Sequence, residues 1–223
     1  MHRKGIKFIL LGVFILLTSC FEIIEEVSFN EDGSGNVMLT LNLSQSRTKL
    51  NSFMLLDSVN KYKVPSKIEI RDHFNKIATT IKNTNGISNV QHTVNFDDYI
   101  FTISCDFKDV EALNTVISNF SSKNEAALIQ QNKHFSYDQS KDVFTRNYHY
   151  DLATEFKKTQ LEDRKVIESA TYTTIYRFKK PIISSNNQAA KIASSKKAVM
   201  LKVNVKDIIT NQKSIKNQIT LQH

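Results

Sequence analysis

Little in this sequence interrupts the backbone, since its 223 residues include only two prolines and five glycines. With so few breakers, no flexible linker marks off a second domain. The polar tract "NEAALIQQN" is the best candidate boundary, which places any subdivision near 121–133. One continuous domain is the simpler expectation.

Several chemical signatures are also missing. There is no nucleotide-binding glycine loop, no GxSxG elbow and no HExxH pair. His73, His92, His134, His149 and His223 stand far apart, and no two sit at the two- to four-residue spacing of a helical ligand pair. The acidic pairs Glu25-Glu26, Asp97-Asp98 and Glu162-Asp163 are adjacent in sequence. On a strand, neighbouring side chains diverge to opposite faces, so these are no ready dyad. The sequence therefore predicts no catalytic residue, no metal and no cofactor, hence a protein that is not an enzyme. The formal charge of +8 is spread along the chain without a polybasic block, and no nucleic-acid recognition motif accompanies it.

What is present begins at the amino terminus. Arg3, Lys4 and Lys7 precede the apolar run Phe8 to Leu17, ten residues long and too short to span about 30 Å of hydrocarbon comfortably. Leu17-Thr18-Ser19-Cys20 follows, and this stretch resembles the bacterial lipobox. That resemblance implies a lipoprotein signal peptide over 1–19, removed before Cys20, and a mature domain over 20–223. It further implies lipidation of Cys20 as a diacylglyceryl cysteine, with acyl chains such as palmitate forming the membrane anchor. Loss of the three amino-terminal cations lowers the net charge from +8 to +5. Phe21 in place of aspartate favours an outer-membrane setting in the cell envelope, on the periplasmic or the surface side. With Cys20 acylated, Cys105 alone remains, and no internal disulfide framework is expected.

Downstream, hairpins alternate with helices. Ile23, Val27 and Phe29 share a strand face, with Glu25 as the exception, and Val37, Leu39, Leu41 and Leu43 share the next. The intervening "NEDGSG" tolerates positive φ and predicts a hairpin turn. Helical spacing is expected over Ser46 to Lys61, over "SKIEIRDHFNKIATTIKN", over Asp109 to Phe120 and over Leu152 to Ile167. Strands are expected over Ile87–Asn95, Tyr99–Phe107, "HFSYDQSKDVFTRNYHY", "SATYTTIYRF" and "AVMLKVNV", with "NQITLQ" as a final edge strand or tail. Cys105 alternates with Tyr99, Phe101, Ile103 and Phe107 and is read as a buried structural thiol. The pattern predicts an α+β fold, an antiparallel sheet built from hairpins and covered by amphipathic helices.

The Asp-Gly-Ser-Gly turn close behind the lipobox resembles the LppM-type lipoprotein domain. So do a later strand ending "YRFKKPI", a polar loop and the "AVMLKVNV" strand. Phe178-Lys179-Lys180-Pro181 stands where that family has a Phe-Pro-Gly-type turn, and Val199-Met200-Leu201 lacks its tryptophan. The resemblance implies a non-enzymatic envelope domain with a curved sheet and a lipid or glycolipid ligand. The asparagine- and lysine-rich composition looks like that of Bacteroidetes lipoproteins.

Two binding roles remain open at this point. In one, the aromatic strand faces carrying Tyr99, Phe101, Phe135, Tyr137, Tyr172 and Tyr176 wall an apolar pocket for a lipid or other amphiphile, instead of simply filling a core. In the other, the protein is a structural or accessory subunit that docks on an envelope protein partner. Beyond these, the expected partner is the membrane, reached through the acyl chains on Cys20.

Overall fold

The structure is a computed structural model, and it describes residues 21–59, 62–121, 133–148 and 152–223. The proposed boundary at 121–133 falls almost wholly outside that set. The chain is α+β, as its alternation of hairpins and helices predicts, but its main sheet is mixed and not purely antiparallel.

Strands β1 (Glu22–Phe29) and β2 (Gly35–Asn42) form the expected hairpin. Gly33 takes φ +81 in its turn, and Asp32 Oδ1 accepts from the Ser34 amide at 3.0 Å. Gly35 is required by space. A Cβ there would lie 2.0 Å from the Ser28 carbonyl oxygen and 2.6 Å from the Phe107 ring. Gly35→Ala must spread the hairpin, and it is expected to destabilise the fold by about 3 kcal/mol, read as a lowered urea midpoint.

Helix α1 (Arg47–Phe53) is shorter than its spacing predicts, because the chain turns into a small hairpin of β3 (Ser58–Val59) and β4 (Tyr62–Lys63). Helix α2 (Lys67–Lys82) starts at a capping box: Ser66 Oγ accepts from the Glu69 amide while Glu69 accepts from the Ser66 amide. Strands β5 (Ile87–Asn95) and β6 (Ile100–Phe107) then pair. At their turn Tyr99 holds φ 53, unusual for a bulky residue. Its hydroxyl donates to Asn51 Oδ1 at 2.7 Å and its carbonyl accepts from the Leu43 amide. Helix α3 (Val110–Asn119) is capped by Asp109, which accepts from the Ala112 amide.

Strands β7 (Phe135–Asp138) and β8 (Val143–Arg146) form the aromatic hairpin. The single helix expected next is two, α4 (Leu152–Lys158) and α5 (Leu161–Glu168). Arg164 folds back and donates to the carbonyls of Lys157 and Thr159, satisfying the end of α4 where the chain bends. Strands β9 (Thr171–Arg177), β10 (Ile182–Ser185), β11 (Lys191–Ile192) and β12 (Ala198–Asn204) precede helix α6 (Val205–Ile209) and strand β13 (Asn217–Leu221).

Among the described residues the main sheet runs β11-β12-β9-β1-β2-β6-β5, and a second sheet runs β10-β13-β8-β7. β1 and β9 pair in parallel from Glu22↔Thr171 to Ser28↔Arg177. The carboxy-terminal strand β13, expected as an edge or tail, lies inside the second sheet between β10 and β8. Asn217, Ile219 and Leu221 are fully buried there. The two sheets meet through Val27, Phe29 and Tyr176 on one side and Phe144, Ile219 and Leu221 on the other.

Candidate functional site

The register of the main sheet lays residues out in rows across one face. Ile23, Leu41 and Phe101 form one row, and Val27, Val37 and Cys105 another. Glu25, Leu39 and Ile103 lie between them. The first row's Leu41 and Phe101 are covered by α2, where Ile70 and Phe74 pack with Phe96, Tyr99 and Phe101. The Val37 row is covered by α3 and the second sheet. The middle row is left between these two clusters.

That gap is a cavity of about 430 Å³. Ile77 and Ile81 of α2 form one wall, Val116 and Ile117 of α3 another, and Leu39 and Ile103 the sheet side. Glu25, Cys105, Leu113 and Phe135 are buried lining residues and make the floor, and Ile81 is buried in the α2 wall beside them. Leu39 and Phe120 are 43% and 49% exposed and mark the mouth.

The floor holds one charged group. Glu25 is buried and pairs with buried Arg146 of β8: Arg146 Nε donates to Oε1 at 3.2 Å and Nη2 to Oε2 at 3.1 Å. Tyr176 donates to Oε1 at 2.5 Å and Tyr172 to Oε2 at 2.7 Å. Burial pushes the Glu25 carboxyl upward, but the Arg146 charge and these hydrogen bonds outweigh it, and the group is held below its ordinary value of 4.5. Burial, with the Glu25 charge, raises both tyrosines far above the usual phenol range. Arg146 Nη1 also donates to His134 Nδ1 at 3.2 Å and to the Asn147 carbonyl. Arginine can only donate, so His134 Nδ1 is an acceptor in this arrangement. The Arg146 guanidinium lies 4.8 Å from the Phe135 ring centroid. Burial lifts the Cys105 thiol to about 11, with Asp106 adding to the shift, so Cys105 is a neutral apolar wall and not a nucleophile.

Of the six aromatic residues expected to wall a pocket, Phe135 alone lines this cavity. Tyr99 and Phe101 pack under α2, Tyr176 and Tyr137 belong to the core between the sheets, and Tyr172 packs beside Leu201 and Val203. Glu25 stood out in the sequence only as an exception on its strand face, and nothing there marked Arg146 as its partner. The available signal was that a carboxylate and a guanidinium each occupy an apolar register position of their strand. Glu26, next to Glu25, points to the other face and pairs with Arg177 at 2.7 Å. His73 is exposed, His223 pairs with Asp142, and His149 lies outside the described residues. Among the described residues no group of three or more His, Cys, Asp or Glu could hold a metal ion.

No family model matches this chain, and no curated protein matches it. Among solved structures, it is similar to the folded domain of LppM from Mycobacterium tuberculosis, determined by NMR, with 12% identity and a TM-score of 0.45 over 92% of this chain and 91% of that one. A likeness of that size assigns no family. Residues Leu17, Thr18, Ser19 and Cys20 lie outside the described residues, and among those described no helix is long and apolar enough to cross a membrane. The lipoprotein, signal-peptide, lipidation and membrane-anchor assignment rests on a short motif that nothing among the described residues supports, and it is withdrawn. What stands is an α+β chain with a preformed apolar cavity.

Proposed function

We propose that this protein is a non-enzymatic binding protein for a lipid or other amphiphile, which it takes into the cavity between α2 and α3. One observation carries this role: a space of about 430 Å³ walled by isoleucine, leucine and valine side chains and open at Leu39 and Phe120. Small-molecule sites are mostly apolar spaces of roughly 300–1,000 Å³. Each methylene moved from water into such walls contributes about 0.8 kcal/mol. The floor supports binding without chemistry, because its carboxylate is ion-paired and its thiol is neutral.

Native mass spectrometry of the purified full chain, after exposure to a total lipid extract, tests the role. The expected result is a discrete added mass that disappears on denaturation. A second arm uses Ile117→Trp, which puts an indole into the wall and should abolish the adduct with little change in the circular-dichroism spectrum. A bare monomer mass after exposure would overturn the role and favour a subunit that docks on a protein partner.

A further inference from the structure

From the saturated floor and the size of the cavity, we infer that the ligand is a single-chain amphiphile that enters tail first, with its headgroup left at the Leu39–Phe120 mouth. The inference rests on the amphiphile-binding role. An ionised carboxylate offers about four acceptor sites. At Glu25 four donors fill them: Arg146 Nε, Arg146 Nη2, Tyr172 and Tyr176. Arg146 spends Nη1 on His134 and the Asn147 carbonyl. The carboxylate beneath the cavity is thus saturated, and Arg146 directs four of its five N–H groups to partners within the protein.

A headgroup pushed to the floor would lose its water and find no partner among these groups. For a buried polar group that is the costly outcome. A methyl terminus loses nothing there, and it meets Cys105, Leu113 and the Phe135 ring. Orientation follows from which end of the ligand needs a partner.

Capacity decides the number of chains. A cavity of about 150 Å³ holds one benzene, so 430 Å³ is close to three such volumes. That is roughly the bulk of one chain of 14 to 18 carbons on the same scale. A lipid with two full chains must leave one outside.

Spin-labelled fatty acids distinguish the orientations. The probes are stearic acid carrying a nitroxide at carbon 5 or at carbon 16, added to the full chain with methyl-labelled isoleucine and leucine. The carbon-16 label is expected to broaden the Leu113 and Ile81 methyl signals, and the carbon-5 label those of Leu39. The reverse pattern would overturn tail-first entry while leaving amphiphile binding intact. Absence of broadening at all three residues, with either probe, would overturn the inference and the binding role together.

A second series varies chain length and headgroup. Affinity should rise by up to roughly fourfold per methylene and level off once the chain fills the cavity. Carboxylate, trimethylammonium and hydroxyl heads on the same chain should bind within about threefold of one another at constant ionic strength, because the head stays in water. A tenfold or larger preference for one head charge would show a bond to the head inside the site and sink the inference. So would equal capture of one- and two-chain lipids with both chains protected from solvent.

Discussion

Replacing Arg146 with alanine is expected to cost about 3–5 kcal/mol, because removing one partner of a buried pair leaves the other charge uncompensated. Glu25 would keep the Tyr172 and Tyr176 hydroxyls but lose both guanidinium bonds and the cation paired with it. The loss has structural reach, since Glu25 belongs to β1 of the main sheet and Arg146 to β8 of the second. Urea unfolding should show a lower midpoint. The paired variant Glu25→Gln/Arg146→Met should recover much of the loss, since removing both charges avoids the unpaired state. If the single and paired variants were equally destabilised, the cost would lie in packing against Phe135 and not in charge.

The same pair sets a pH dependence. The folded-state pKa of Glu25 is lowered from 4.5, so its contribution is fully present above that value and is lost as pH falls through the folded pKa. Stability of the parent chain should therefore decline on the acid side of 4.5. In Glu25→Gln/Arg146→Met that part of the decline should be absent. A parallel acid profile in parent and paired variant would show that other carboxylates dominate.

Phe144→Ala is expected to cost about 3–5 kcal/mol as well, by a different mechanism, the cavity left when a buried ring is deleted. Phe144 is fully buried, and its ring centroid lies 4.8 Å from that of Phe29, 5.0 Å from Tyr176, 5.7 Å from Phe178 and 6.1 Å from Phe135. Three of these rings belong to or follow strands of the main sheet, so the deletion opens the joint between the sheets. The midpoint should fall with little change in denaturant slope, and thermal unfolding should drop on the order of 10 °C. Phe144→Leu, which keeps more of the volume, should recover a good part of the loss. A fall of less than 1 kcal/mol for alanine would mean that the core collapses around the gap.

Local elements were readable in the sequence because their signals are local. The hairpin turn at Gly33, the helical spacing that forms α2 and α3 and the alternation that buries Phe101, Cys105 and Phe107 all lie within a few neighbouring residues. Together they determined the α+β class and most strands of the main sheet. The break between α4 and α5 was not visible, since it depends on a guanidinium reaching carbonyls five and seven residues back.

Pairing between distant strands was decided only by the tertiary structure. Nothing near Glu22 announces that β1 will run parallel to β9, or near Asn217 that β13 will be an interior strand. Alternation records which face is apolar and not which partner covers it. Six aromatic residues were therefore visible as apolar faces, yet only Phe135 lines the cavity, because the cavity is the row that α2 and α3 leave uncovered between them. Glu25 was visible as an irregularity in an apolar strand. Its meaning required Arg146, 121 residues away in the chain and 3.1 Å away in space.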